Sequence, residues 1–124
     1  MTRIVRSGNC RNSPKNQLVE DLAVALLTGD RQAVSGLVTD DVQWTTVGGE
    51  AVQGRQALGD SLQGVEPAGI EELVVLHVVT HGKSGAVDGT IVDGGRQQGF
   101  CHVFDFANTR GSTVQRITSY RISV

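Results

Sequence analysis

The stretch that most restricts the folds open to this chain is Gly99–Ala107, which reads Gly-Phe-Cys-His-Val-Phe-Asp-Phe-Ala. Side chains along a strand alternate between two faces. As a strand, this stretch places all three phenylalanines of the chain, Phe100, Phe104 and Phe106, on the same face as His102. An apolar wall that carries a single titratable group is typical of a small-molecule pocket. We therefore predict a pocket lined by this strand, with His102 as its polar group. The alternative is a core histidine that bonds to a neighbouring backbone or hydroxyl group.

Length and charge narrow the class of protein. A chain of 124 residues fits one domain, and we expect residues 1–12 to form a flexible arm before a single domain at 13–124. A net charge of −2 without any basic run argues against nucleic-acid binding. No window approaches the roughly 18 apolar residues of a membrane span. Cys10 and Cys101 make no disulfide framework, so we expect free thiols in a cytoplasmic protein.

The first half of the chain carries helical patterns. Ser13 is typical of a helix N-cap and Gly29 of a helix end, which predicts a helix over 14–28. Asp30 is a candidate cap for a second, short helix, and 54–62 suits a third. The sequence therefore predicts three N-terminal helices.

The second half is typical of β-structure, because apolar runs alternate with glycine-containing turns. The predicted strands cover 42–47, 73–80, 86–92, 97–107 and 113–124. The run over 73–80 is almost continuously apolar, which is typical of a strand covered on both faces. This order predicts an α+β fold, in which a strongly curved antiparallel sheet packs against the three helices and encloses a cavity.

Five segments carry a resemblance to a known family: Leu27–Asp30, Leu37–Trp44, Gln53–Leu58, Phe104–Phe106 and Ile117–Tyr120. In this order and spacing, the chain resembles the nuclear transport factor 2-like (NTF2-like) superfamily, which includes ketosteroid isomerase-like and SnoaL-like polyketide cyclase proteins. The resemblance implies a cone-shaped α+β barrel with an apolar pocket between sheet and helices. It also implies a homodimer, as is common in that superfamily.

The resemblance further implies where catalytic groups would lie. In ketosteroid isomerases a strand carboxylate abstracts a proton, while a helix tyrosine and a second carboxylate stabilise the oxyanion. In an alignment with that pattern, Thr46 occupies the position of the base, Leu22 that of the tyrosine and His102 that of the second carboxylate. Threonine is no base near neutral pH and leucine donates no hydrogen bond, so steroid isomerisation by that mechanism is not expected. His102 keeps a group that can move a proton.

Asp88 is the second candidate catalytic residue. Polyketide cyclases of the resembled family use an Asp–His acid–base pair, and an inward Asp88 could orient His102 across adjacent strands. The sequence does not decide which face of its strand Asp88 occupies: Asp88 could equally lie on the surface, with Val87 pointing inward. Burial of His102 among phenylalanines is expected to lower the pKa of its imidazole.

The remaining predicted pocket-lining residues are Trp44, Thr46, Phe100, Phe104 and Tyr120. Tyr120 could instead plug the barrel or pack at a dimer contact. His77 is expected to be a structural histidine or an interface residue, and His81 is expected to bond to turn backbone at the end of a strand. The spacing of histidines and cysteines does not match a metal site, so we predict neither a metal nor a cofactor.

Three functions remain open on the sequence. The first is a cofactor-free isomerase or cyclase that acts on a small apolar substrate, with His102 as the acid/base. The second is a module that binds a small apolar ligand without chemistry. The third is an association domain that dimerises through its sheet.

Overall fold

Within residues 2–10, 13–62 and 70–124, which the computed structural model describes, three helices pack against a seven-stranded sheet. In chain order the elements are β1 (Arg3–Val5), α1 (Pro14–Thr28), α2 (Arg31–Leu37), β2 (Val38–Thr46), β3 (Ala51–Gln53), α3 (Arg55–Ser61), β4 (Ile70–His81), β5 (Ser84–Asp93), β6 (Arg96–Phe106) and β7 (Val114–Ser123). The strands lie side by side in the order β1-β4-β5-β6-β7-β2-β3. The predicted α+β class, with three helices before the main run of strands, is confirmed.

The helix α1 begins and ends where the sequence predicts. Ser13 Oγ accepts a hydrogen bond from the Asn16 backbone N–H at 3.2 Å. Gly29 ends the helix at a φ of 73°, a left-handed conformation that glycine adopts without strain. The helix contacts β4 and β5 and buries Val19 and Leu22 completely. It thereby covers one face of the sheet, which we call the inner face.

The sheet is mixed, which corrects the expectation of a wholly antiparallel one. β4, β5, β6 and β7 form an antiparallel series. In contrast, β1 runs parallel to β4 and β2 runs parallel to β7. These two parallel pairings join segments far apart in the chain, which a local hydrophobic pattern does not report. The strand order is linear, so the sheet is curved but is not closed into a barrel.

The structure also contains two short strands that the sequence did not predict, and one strand that begins earlier than predicted. β2 begins at Val38, earlier than the predicted start at Val42. The three-residue strands β1 and β3 lie outside the predicted set. Three residues are too few to display an alternation, so only their tertiary pairing identifies them.

The strand β4 is covered on one face only, which corrects the expectation of two covered faces. Val75 and Val78 are buried, whereas Leu76 and Val79 are exposed. Cross-strand pairing passes from Val75 directly to His77 and leaves Leu76 as a bulge. An inserted residue bends a strand and shifts its buried phase by one position. The bulge therefore contributes to the curvature of the sheet.

Two mid-strand glycines of β5 lie opposite two phenylalanines of β6. Gly89 pairs with Phe100, and Gly85 pairs with Phe104. A Cβ at position 89 would collide with the β4 backbone and lie 2.8 Å from the Phe100 ring. A Cβ at position 85 would lie 2.7 Å from a methyl group of Val19 on α1. The two glycines make room for the aromatic face and for the helix that covers it.

A buried carboxylate holds the N-terminal segment against α1. Glu20 is 2% exposed and accepts hydrogen bonds from the Ser7 backbone N–H at 2.8 Å and from Arg6 Nη1 at 3.3 Å. The thiol of Cys10 also donates to Glu20, at 3.3 Å. The segment expected to be a flexible arm therefore includes the paired strand β1 and these contacts. Residues 1, 11 and 12 of the expected arm lie outside the described residues.

Candidate functional site

One face of β6 carries buried aromatic rings around a histidine. Phe100, His102, Phe104 and Phe106 are each at most 4% exposed. The centroid of the His102 ring lies 5.6 Å from that of Phe100 and 5.8 Å from that of Phe104, and the His102 and Phe104 rings are nearly parallel, at 9°. The predicted alternation of β6 is confirmed, and the imidazole lies in an apolar wall.

Three strands bring polar groups to this imidazole. His102 of β6 pairs in register with Ser119 of β7, and Ser119 pairs in turn with Thr46 of β2. The His102 Nδ1 and Ser119 Oγ atoms are 2.6 Å apart. Ser119 Oγ also accepts a hydrogen bond from the Trp44 indole N–H at 2.8 Å. The result is a short polar chain that runs from Trp44 through Ser119 to His102.

Burial controls the charge of His102. Removal of the ring from water, and to a smaller extent the positive charge of Arg121, together lower the pKa of His102 to about 4. The ring is therefore neutral at physiological pH. Among the residues that the structure describes, its Nε2 atom is buried and has no hydrogen-bond partner.

Asp88 lies on the outer face of the sheet and is not brought together with His102. In the register of β5 and β6, Val87 is opposite His102, and Asp88 is opposite Cys101. The Asp88 carboxylate instead lies 2.9 Å from His77 Nδ1, with side chains that are 46% and 74% exposed. Of the two positions considered for Asp88, the structure therefore shows the one on the surface. Asp88 does not form the expected acid–base pair with His102.

The other predicted lining residues divide between the two faces. Thr46 and Trp44 are half-buried and lie in the inward phase of β2, next to Ser119. Phe100 and Phe104 flank His102 as described. Tyr120 is 42% exposed and lies opposite Cys101 on the outer face, so it does not line the inner wall. Its alternative place, at a contact of the outer face, fits this position.

Ser119 is the site residue that sequence reasoning did not select. It is 6% exposed and bonds to the side chains of Trp44 and His102. The signal was present, because Ser119 lies two positions after the buried Ile117 and thus on the face opposite Tyr120. A serine that shares the inward phase of a strand with a buried isoleucine indicates a buried hydrogen bond.

A separate cleft of about 120 Å³ lies between α2 and α3, lined by Arg31, Val34, Ser35, Arg55, Gln56 and Gly59. Arg31 Nη2 lies 2.9 Å from a carboxylate oxygen of Asp60, and Arg55 Nη1 lies 2.7 Å from one of Asp40. The two positive charges of this lining are therefore balanced by neighbouring carboxylates, and the cleft does not concentrate charge for an anionic ligand.

In the described part of the chain, no group of three or more histidine, cysteine, aspartate or glutamate side chains is arranged to hold a metal ion. No helix formed by those same residues is long and apolar enough to cross a membrane.

Comparison with known proteins gives matches to solved structures alone, since no family model and no curated protein matches the chain. The chain is similar to an NTF-2 like protein of unknown function from Burkholderia xenovorans LB400, at 23% identity over 94% of this chain and 88% of that one, with a TM-score of 0.72. It is similar to an LEH-like epoxide hydrolase of M. tuberculosis, at 19% identity over 86% and 81%, with a TM-score of 0.68. A protein with a ketosteroid isomerase-like fold from Catenulispora acidiphila DSM 44928, in complex with trimethylamine, matches at 16% identity over 84% of each chain, with a TM-score of 0.65.

These likenesses define the class of fold. Three helices on a curved mixed sheet are the architecture of the NTF2-like and ketosteroid isomerase-like proteins, and this chain has that fold. The resemblance inferred from the five sequence segments is confirmed at this level. A shared fold hosts many activities, so function has to be argued from the site around His102.

Proposed function

We propose that the chain is a small-molecule pocket protein of the SnoaL-like or ketosteroid isomerase-like type, which holds a small apolar ligand against His102. The observation that carries the proposal is the buried Nε2 atom of His102, which lacks a partner among the described residues and belongs to a ring between two phenylalanines. A buried polar atom without a hydrogen bond costs about 1–3 kcal/mol, so a ligand atom that bonds to Nε2 is favoured. A few polar groups on an apolar wall are typical of ligand sites.

A thermal-shift titration with a panel of small apolar compounds tests this function. Ligands that bind the folded chain are expected to raise the Tm in a concentration-dependent manner. In the His102→Phe variant the shift is expected to be lost or strongly reduced, because phenylalanine keeps a ring of similar size but has no nitrogen.

The matched control is His81→Phe, which makes the same replacement at an exposed position at the end of β4. This variant is expected to respond to ligands as the wild type does. Equal shifts in wild type and His102→Phe, or no shift with any compound, would contradict the proposal.

A second candidate function is a cofactor-free isomerase or cyclase with His102 as acid/base. The observation that favours it is the low pKa of His102, about 4, since a neutral imidazole is available for proton transfer at physiological pH. The likeness to an LEH-like epoxide hydrolase adds epoxide opening to the reactions worth testing. Compounds that bind in the titration are incubated with the chain and analysed by NMR. Conversion supports an enzyme, and unchanged recovery supports a binding module.

We also propose a homodimer that forms through the outer face of the sheet, and a cytoplasmic location. The outer face leaves Val79 of β4 and Tyr120 and Ile122 of β7 exposed, and a sheet face that carries exposed apolar side chains is suited to a protein contact. The location is supported by the free thiols of Cys10 and Cys101, which are typical of a reducing compartment.

A further inference from the structure

The hydrogen bonds at Ser119 have a direction that follows from the chemistry of the groups. An indole N–H can only donate, so Ser119 Oγ must be the acceptor in its 2.8 Å contact with Trp44. The serine hydroxyl keeps one hydrogen of its own to donate. The remaining contact of Ser119 Oγ is the 2.6 Å approach to His102 Nδ1.

Two neutral tautomers of His102 are compatible with that approach, and they leave different atoms unpaired. With Nδ1 unprotonated, the Ser119 O–H donates to Nδ1, and the Nε2–H alone is left without a partner in the polar chain. With the proton on Nδ1, Ser119 accepts two hydrogen bonds, and both its own O–H and the Nε2 lone pair are unpaired. Each unpaired buried polar group is costly, so the first arrangement is the more stable one.

We propose that Ser119, held by the Trp44 indole, is a positioning residue that fixes His102 as the Nε2–H tautomer, so that the ring presents a hydrogen-bond donor to a ligand with a neutral oxygen acceptor. The tautomer is a property of the free chain. The ligand class rests on the proposed function. In this tautomer Nε2 has no lone pair in the ring plane, so His102 polarises a carbonyl oxygen and does not act there as a general base.

The apolar surroundings of His102 indicate which kind of ligand atom accepts its hydrogen bond. The donor lies among phenylalanine rings, and the imidazole is neutral. The positive charge that acts on the ring belongs to Arg121, a solvent-exposed side chain opposite Phe100, so water solvates that charge and it does not require a ligand anion at Nε2. A carboxylate would lose its hydration in such surroundings, whereas a ketone or ester oxygen loses little. We therefore infer a small, otherwise apolar molecule with a carbonyl-type oxygen.

The tautomer is tested on the free protein by long-range ¹H–¹⁵N NMR correlation of the histidine rings. The signals of His102 are expected to show a protonated Nε2 and an unprotonated Nδ1 across neutral pH. A protonated Nδ1 would overturn the proposal and would favour the general-base alternative.

Variants of the two supporting residues test the positioning role. Ser119→Ala removes the hydroxyl that donates to Nδ1, so a mixture of both tautomers is expected, and Ser119→Thr is expected to restore the single tautomer because it retains a hydroxyl. Ser119→Cys replaces the hydroxyl with a thiol, which is a weaker donor, so a larger share of the Nδ1–H tautomer is expected, and this variant keeps the test valid if Ser119→Ala does not fold. Trp44→Phe is the control: it deletes the indole donor but leaves the Ser119 O–H with Nδ1 as its acceptor, so it is expected to keep the Nε2–H tautomer. An unchanged tautomer in both Ser119→Ala and Ser119→Cys would contradict the role.

A matched pair of ligands tests the acceptor. Acetophenone and α-methylstyrene have similar shapes, but only the ketone has an oxygen acceptor, so acetophenone is expected to bind about tenfold more tightly. The preference is expected to disappear in His102→Phe. Equal affinities in the wild type would overturn the ligand class while leaving the proposed function in place. Failure of both probes to bind would contradict the proposed function and the ligand class together. The NMR test of the His102 tautomer uses the free protein, so it does not depend on either probe.

Discussion

His102 is compatible with its surroundings only as a neutral ring. It is 4% exposed and lies between two phenylalanines, and the polar contact that its ring makes with the described residues is to a serine hydroxyl rather than a carboxylate. A carboxylate in that place would have stabilised the imidazolium form. The observed environment therefore opposes protonation and links the stability of the fold to pH.

The stability of the chain is expected to fall as the pH drops from about 6.5 to about 4. The pKa of His102 is near 6.5 in the unfolded chain and about 4 in the fold, so within this window the unfolded state binds a proton that the folded state does not. The full difference corresponds to roughly 3 kcal/mol. Urea unfolding of wild type and His102→Phe at several pH values measures it, and the variant is expected to lack this part of the pH dependence.

Carboxylates also titrate at low pH, but they do not affect the difference between wild type and His102→Phe. The pKa of Glu20 is lowered by its hydrogen bonds from Ser7, Cys10 and Arg6, despite the opposing effect of burial, so protonation of Glu20 also destabilises the fold at low pH. That contribution is common to both chains and cancels in their difference. Parallel pH profiles for wild type and variant would show that His102 is not the buried neutral group described above.

The pairing of β5 with β6 builds the aromatic wall. Each glycine of the inward phase, Gly85 and Gly89, lies opposite a phenylalanine of β6, and Val87 lies opposite His102. The missing side chains leave space for the aromatic rings. Glycine weakens a strand when considered locally, but a cross-strand aromatic ring can cover the exposed backbone.

Replacement of Gly89 by alanine is expected to destabilise the fold by roughly 1–3 kcal/mol, a typical range for overpacking. The new methyl group would collide with the β4 backbone and press on the Phe100 ring. Gly99→Ala is the matched control, since the atoms nearest to a Cβ there are 4.0 Å away. Urea unfolding gives both free energies, and an equal loss in the two variants would show that the effect is general to strand glycines.

The two faces of the sheet differ across the molecule. The helices cover the inner face, where β5 and β6 bury alternate side chains and β4 and β7 bury a part of theirs. The outer face carries the exposed His77–Asp88 pair together with exposed apolar side chains. An exposed polar pair contributes little to stability, so in the proposed dimer the apolar side chains of this face are expected to supply most of the contact.

The chain is expected to be a dimer in solution that Ile122→Lys converts to a monomer. Ile122 is 66% exposed at the outer face, and a lysine there would place a charge in an apolar contact. Val47→Lys is the control, because Val47 is also exposed, at 51%, but lies in the turn after β2. Light scattering coupled to size-exclusion chromatography gives the mass. A monomeric wild type, or loss of the dimer in both variants, would contradict a dimer through the outer face.

Much of this architecture is readable from the sequence because it depends on neighbours a few residues apart. The caps at Ser13 and Gly29 set the limits of α1, and the alternation of β6 placed His102 among the phenylalanines. The almost continuous apolar run of β4 was misleading, because the bulge at Leu76 shifts the buried phase within one strand.

Long-range pairing decided the composition of the site. Whether Asp88 or Val87 stands beside His102 depends on the register of β5 against β6, and both registers fit the local pattern. Ser119 reaches His102 because β7 pairs with β6, and it meets Trp44 because β7 also pairs in parallel with β2. Side-chain alternation is a property of each strand alone, whereas register is a relation between strands distant in sequence. For that reason the apolar wall was predictable from residues 99–107, and the polar chain that orients its histidine was not.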